Sequence, residues 1–315
     1  MNQEQVQVKT HFGEFPISKE TFDSTILLGY RGSIAHDMHV PSNDPDSIDD
    51  VDLMGIVVPD KSYYLGLREY GSHGTKEVKQ GQWDVVFYEA RKMISLLSKG
   101  NPNVLSLLWT TDPEYIINTN AGRLLIENRE LFLTKAMFEP WAGYANGQLQ
   151  RMNRFGAKER DRLTSLEAEV ERRKLYGHGT HDHPYGHMHD DQLAALIETE
   201  RQKYFSGYMG EKRKELVVRH GYDTKNAAHL IRLLRMGIEA FDRGQLQVAR
   251  TGDRDSLLGI KRGTWSLEGV QNYAAELFTM LREARDRSTL PDEPDMDRIN
   301  DLCVRVVQLA WEERR

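Results

Sequence analysis

The chain of 315 residues holds a single cysteine, Cys303, so no disulfide can form within it and no multi-thiolate zinc site can be built. Cys303 lies in an apolar helical pattern with Leu302, Val304, Val306 and Val307 and reads as core filler. No run approaches the ~18 apolar residues of a membrane helix, and the opening MNQEQVQVKT has no signal-peptide core. A cytoplasmic protein with no membrane partner is therefore expected. Excess positive charge is also missing. The formal net charge of −6 argues against strong non-specific nucleic-acid binding, which rests on neutralising phosphates, and leaves room for a nucleic acid only in a local basic groove. Lys and Arg concentrate at 151–174 and 201–219, but interleaved with Glu and Asp, the pattern of solvated helix faces. No internal repeat of fixed period is visible.

What is present is organised around residues 27–58, LLGYRGSIAHDMHVPSNDPDSIDDVDLMGIVV. Apolar runs at 25–30 and 51–58 flank a segment holding Gly, Pro, Ser, Asn and Asp, which predicts strand, loop, strand. A further hairpin is expected from 76–78 through 83–88, then a helix over 90–97 that stops at Gly100. Residues 1–23 carry little signal beyond a short entry helix near 18–23. From Val104 onward the apolar spacing is helical almost everywhere, including 130–154 with a break at Pro140. Only 244–263 reads as a longer interruption with a turn or short strand. Strands first and helices after is the α+β pattern: a small mixed sheet over 1–110, then a mostly helical domain over 111–315 with a charged insertion at about 155–215.

The chemistry resides in the acids. Two carboxylates at i and i+2 of a strand point to one face and can share two divalent ions about 3.5–4 Å apart. Asp44 and Asp46 are separated by Pro45 and lead into no strand, whereas Asp50 and Asp52 run straight into LMGIVV. Asp50 and Asp52 are therefore the expected pair, and Asp49 a turn residue. Asp84, opening the run DVVFY, is the candidate third ligand from a neighbouring strand. Gly32 and Ser33 would gather backbone N–H groups toward a polyphosphate, with Arg31 beside them. The residues alone imply a divalent-metal phosphate site.

The segments GYRGSIAH, DDVDLMGIVVPD, KGNPNVLSLLW, YDTKNAAHLIRLLR and LPDEPD carry more. Gly-Ser, then Asp-x-Asp, then a later strand Asp resembles the DNA-polymerase-β-like nucleotidyltransferase superfamily. More narrowly, these segments resemble predicted bacterial and phage nucleotidyltransferases linked to RNA repair. The likeness runs from about residue 25 to the C-terminus, apart from 155–215. It implies that Gly32 and Ser33 contact the β- and γ-phosphates, and that Asp50, Asp52 and Asp84 are catalytic and hold two Mg2+ (or Mn2+) ions. It also implies an NTP substrate whose nucleoside monophosphate passes to a hydroxyl, an RNA 3′ end foremost, with release of pyrophosphate. Transfer to a small-molecule or protein hydroxyl, and a non-catalytic nucleotide-binding module, are the alternatives. The three acids weigh against the last.

In the segment 224–243, Lys225, His229 and Arg232 fall at i, i+4 and i+7 on one line, opposite the apolar face of Ala227, Leu230, Leu234, Ile238 and Phe241. By spacing alone this line reads as a solvated outer face; the resemblance carried by YDTKNAAHLIRLLR implies a cleft-facing role, where three potential cations suit a triphosphate or an acceptor backbone, with Lys225 the first choice and His229 next. The tract YGHGTHDHPYGHMHDD holds His178, His181, His183, His187 and His189, a compositional hint of Zn or Ni binding. Gly and Pro interrupt it, so a loop joining two charged helices is the favoured reading. Trp83, Trp109, Trp141 and Trp265 are expected in the core.

Overall fold

The computed structural model describes residues 4–41, 44, 50–152, 157–177, 185–204 and 211–314. It opens on an antiparallel hairpin of β1 (Gln5–Thr10) and β2 (Gly13–Ser18), where no strand was expected. Val8, Phe15 and Ile17 alternate with polar neighbours and are buried, the period-2 pattern of a one-sided ribbon. The expected entry helix follows as α1 (Lys19–Ser24), capped by the Ser18 hydroxyl, which accepts from the Thr21 N–H.

The central sheet uses β3 (Thr25–Tyr30), β4 (Val51–Val57), β5 (Thr75–Gln80), β6 (Trp83–Glu89) and β7 (Tyr115–Asn118), in the order β5-β6-β4-β3-β7. Only β4 and β6 run parallel, and the sheet is mixed. Short helices α2 (Gly32–Ala35) and α3 (Lys61–Leu65) follow β3 and β4, and α4 (Ala90–Ser98) with α5 (Pro102–Leu105) follows β6. Both faces of the middle strands are covered, so β3 reads TILLGY without polar alternation and is buried throughout. The fifth strand, β7, pairs with β3 in a stretch to which spacing assigned no element, between the helices expected at 104–109 and 121–128. Four residues are too few for their period to register.

Helices α6 (Asn120–Glu127), α7 (Phe138–Met152), α8 (Ala157–Tyr176), α9 (Asp190–Tyr204) and α10 (Glu211–His220) precede α11 (Thr224–Arg243), α12 (Arg254–Lys261), α13 (Leu267–Arg287) and α14 (Met296–Glu313). The architecture is α+β as expected. Pro140 lies in the first turn of α7 rather than breaking a helix, because a first-turn residue has no N–H bond to lose. The segment 244–263 contains α12 rather than a strand. Helix α11 is the hub: its apolar face, with Leu230, Leu234 and Phe241 buried, packs on α7 and α13. Gly237 permits this, since a Cβ there would come within 2.8 Å of Leu281 and 2.9 Å of Trp141.

The charged helices are less solvated than their composition implied. Glu169 of α8 is fully buried and accepts from Arg172 and Arg173, and Arg173 also reaches Asp190 and the Tyr185 carbonyl. Leu163 and Val217, with Ile197, form a small core for α8, α9 and α10. His178, His181 and His183 lie outside the described residues, as do Pro45, Asp46 and Asp49; His187 and His189 are exposed.

One hydrophobic core runs from Val8 of the hairpin to Ala310 of α14 and takes in Trp83, Trp109 and Trp141, with Trp265 and Cys303 packed at its edge. Helix α14 lies on α4 and α6. Its end is fastened to the sheet: Trp311 Nε1 donates to the Pro59 carbonyl at 3.0 Å, Arg314 to the carbonyls of Ser24 and Val58, and Glu313 accepts from the first backbone N–H of α6. Among the described residues no helix is long and apolar enough to cross a membrane.

Candidate active site

Strand β3 ends at Tyr30 and the chain turns sharply. The Arg31 N–H donates to the Asp52 carbonyl at 3.0 Å, extending the ladder to β4, and Gly32 then adopts φ +62. That left-handed backbone favours glycine, and so does the space: a Cβ on Gly32 would lie 2.4 Å from Asp52 Oδ2. Glycine lets the turn close directly over the carboxylate.

The parallel pairing of β4 and β6 puts Asp52 opposite Asp84 in register, so both side chains leave the same face of adjacent strands. Asp50 stands just before β4 and faces the same cleft. Sequence reasoning thus selected three acids that the fold does bring together. They do not close into a chelate, however: among the described residues no three His, Cys, Asp or Glu side chains converge closely enough to hold a metal ion. The positive charge between them belongs to Arg31, whose Nη2 is 3.5 Å from Asp52 Oδ1 and 3.3 Å from Asp84 Oδ1. Lys79 adds a contact to Asp84 at 3.6 Å. Burial pushes the Asp52 carboxyl above its usual range; Arg31 and Lys225 oppose this, and Asp84 and Asp50 add to it. A half-buried carboxylate with two acidic neighbours favours a cation, and hard oxygen donors suit Mg2+ or Mn2+. The Ser33 hydroxyl and Arg31 Nε are buried with no protein partner, leaving two polar atoms for a ligand.

The cleft has a volume of about 350 Å³, within the ~300–1,000 Å³ range of small-molecule sites. Its opposite wall is α11, which presents Lys225, His229 and Arg232 to it. The line read from spacing as a solvated face thus lines the cleft, as the resemblance implied. One correction applies: His229 is no cation. Burial, then Arg232 and Lys225, hold its pKa well below the ordinary histidine value, so the ring is neutral and stacks edge-on against Tyr144 at 5.5 Å. Lys261 of α12 lines the cleft and donates to the Met38 carbonyl at 3.1 Å, and Asn103 and Ser106 close the side after α4. These residues were not singled out from the sequence, although Asn103 and Ser106 stand in KGNPNVLSLLW.

Among curated proteins nothing matches the chain. Among family models, residues 15–305 match one named RlaP and described as an RNA repair pathway DNA polymerase beta family. That span takes in the sheet, the three acids and α11. By the extent of that match the protein belongs to the RNA repair pathway DNA polymerase beta family.

Proposed function

We propose that the protein transfers a nucleoside monophosphate from an NTP to a hydroxyl, with an RNA 3′ end as the acceptor and pyrophosphate as the leaving product. The observation that carries this reading is the in-register pair Asp52 and Asp84, set in one cleft with Gly32, Ser33 and the basic line of α11. In such a transfer the hydroxyl oxygen gives up its proton to solvent and forms a bond to the α-phosphorus, while the bond from that phosphorus to the bridging oxygen of the β-phosphate breaks and its electron pair leaves on pyrophosphate. The protein's work is positioning and charge. Gly32 and Ser33 offer backbone N–H groups and a free hydroxyl to the leaving phosphates, and Lys225 and Arg232 neutralise their charge from the other wall. Asp50, Asp52 and Asp84 would hold one or two Mg2+ or Mn2+ ions, Arg31 moving off the acids onto phosphate. When bound, these ions polarise the acceptor hydroxyl and the α-phosphate.

The test is transfer from α-labelled NTPs with Mg2+ or Mn2+ onto RNA, 3′-deoxy RNA, DNA and protein. Label is expected on RNA alone and not on its 3′-deoxy form, with a loss of about 10³-fold or more in Asp52→Ala and Asp84→Ala. Full activity in either variant would remove the proposed metal site. Label on protein or a small molecule would move the acceptor and keep the chemistry.

A further inference from the structure

His36 closes the motif GYRGSIAH, and none of the chemistry above uses it. It is buried at the end of α2, 4% exposed. Its Nδ1 lies 2.8 Å from the Val248 carbonyl. A carbonyl only accepts, so Nδ1 carries the proton and Nε2 offers a lone pair. That lone pair faces Nη1 of Arg232. The backbone fixes the ring as well: the His36 carbonyl accepts from the Arg250 N–H at 3.2 Å, and Arg250 is clamped between Glu239 and Asp253.

Arg232 differs from the other arginines around it. Arg213 pairs with Asp223, Arg235 with Asp253, and Arg250 with Glu239 and Asp253. Among the described residues Arg232 has no carboxylate partner; its contacts are His36 Nε2 and, at 3.6 Å, Met236 Sδ. A half-buried guanidinium with free donors lining a cleft is an anion receptor in waiting. Burial pulls its pKa down to about 9, still protonated at neutral pH, and burial followed by Arg232 keeps the His36 ring neutral.

We propose that His36 is a positioning residue: its Nε2 takes one N–H of Arg232 and aims the rest of the guanidinium into the cleft to receive an anionic oxygen of the nucleotide's triphosphate. A neutral acceptor is the right chemistry for this task. An Asp or Glu at position 36 would neutralise Arg232 and compete with phosphate, and a Lys or Arg would repel it. Only the identity of the anion rests on the transfer reading; the imidazole–guanidinium contact does not.

Side-chain reach supplies the test. The Gln amide oxygen can replace Nε2, whereas Asn reaches only the place of Nδ1 and can keep the Val248 bond alone. Calorimetric binding of a non-hydrolysable NTP and of the matching NMP would be compared across wild type, His36→Gln, His36→Asn, Arg232→Met and the His36→Asn/Arg232→Met pair. Losing an oriented, charge-assisted bond weakens triphosphate binding by about 10- to 100-fold. That loss is expected in Arg232→Met and His36→Asn, with NMP binding little changed, near-wild-type binding in His36→Gln, and no further loss in the double variant. Wild-type affinity in His36→Asn, or multiplicative losses in the double variant, would overturn the proposal. In the ligand-free protein, imidazole ¹⁵N shifts should show a proton on Nδ1, none on Nε2, no titration between about pH 6 and 8, and a moved Nε2 resonance in Arg232→Met. A proton on Nε2, or ordinary titration, would overturn the proposal without any nucleotide. If wild type bound no triphosphate while these ring signals held, the transfer reading would fall and the His36–Arg232 contact would stand.

Discussion

Replacing Gly32 by alanine tests the most demanding feature of the cleft, the approach of the turn to Asp52. Two costs arise and they separate. The backbone cost comes from φ +62, which disfavours a Cβ by roughly 1–2 kcal/mol, less about 0.4–1 kcal/mol regained because alanine restricts the unfolded chain. The steric cost falls on the carboxylate. A Cβ 2.4 Å from Asp52 Oδ2 must push that oxygen back by 0.6 Å to reach 3.0 Å and by 1.0 Å to reach an ordinary contact at 3.4 Å, and a displacement of about 1 Å at a reacting centre can cost about 10²-fold in rate. Gly81 supplies the control: it has φ +57 at the β5–β6 turn, and a Cβ there meets nothing within 4 Å. Urea unfolding should therefore show Gly32→Ala and Gly81→Ala destabilised by a similar ~1 kcal/mol. Single-turnover transfer should fall about 10²-fold, or ~2.7 kcal/mol of barrier, in Gly32→Ala alone. Equal transfer rates in the two variants would show that Asp52 does not need the place this turn gives it.

Three further outcomes are expected. Burial raises the Asp52 pKa, so the group favours folding below the unfolded-state value near 4, and this contribution is lost as pH rises through the folded-state value; Asp52→Asn should melt higher than wild type at pH 7 without metal and not at pH 3, and a lower melting point at pH 7 would contradict this. Added Mn2+ should raise the melting temperature of wild type but not of Asp52→Asn, and an equal rise in both would place the ion elsewhere. Asp223 is buried, caps α11 through the Asn226 N–H and takes a two-point contact from Arg213; Asp223→Ala should cost about 3–5 kcal/mol in chemical denaturation, since it removes the cap and leaves a guanidinium uncompensated.

The acids were legible because strand chemistry is local: Asp50-Val51-Asp52 runs into an apolar stretch, and Asp84 opens another. Their meeting depends on β4 and β6 running parallel, which spacing does not state. Arg31 read as a phosphate contact, and its position between Asp52 and Asp84 follows only from the turn over β4. The spacing of Lys225, His229 and Arg232 gave the face but not the charge, because the neutrality of His229 comes from burial against its neighbours. His36 was visible as a letter in a motif, but its carbonyl partner lies 212 residues away. The hairpin at β1 and β2 had a period-2 signal in Val6 and Val8, too short to outweigh its polar surroundings. The strand β7 had four residues and no period at all.

The fastening of Trp311 and Arg314 beside β3 and β4, and of Glu313 to α6, has a consequence for how the molecule is made. On the ribosome the sheet emerges before α14, and α4 and α6, which lie on β4, β6 and β3, lack their outer layer until α14 is free. Until then α4 and α6 expose apolar surface, a state prone to trapping by chaperones or by other chains. Emergence of α14, rather than completion of the sheet, is what supplies the outer layer over α4 and α6.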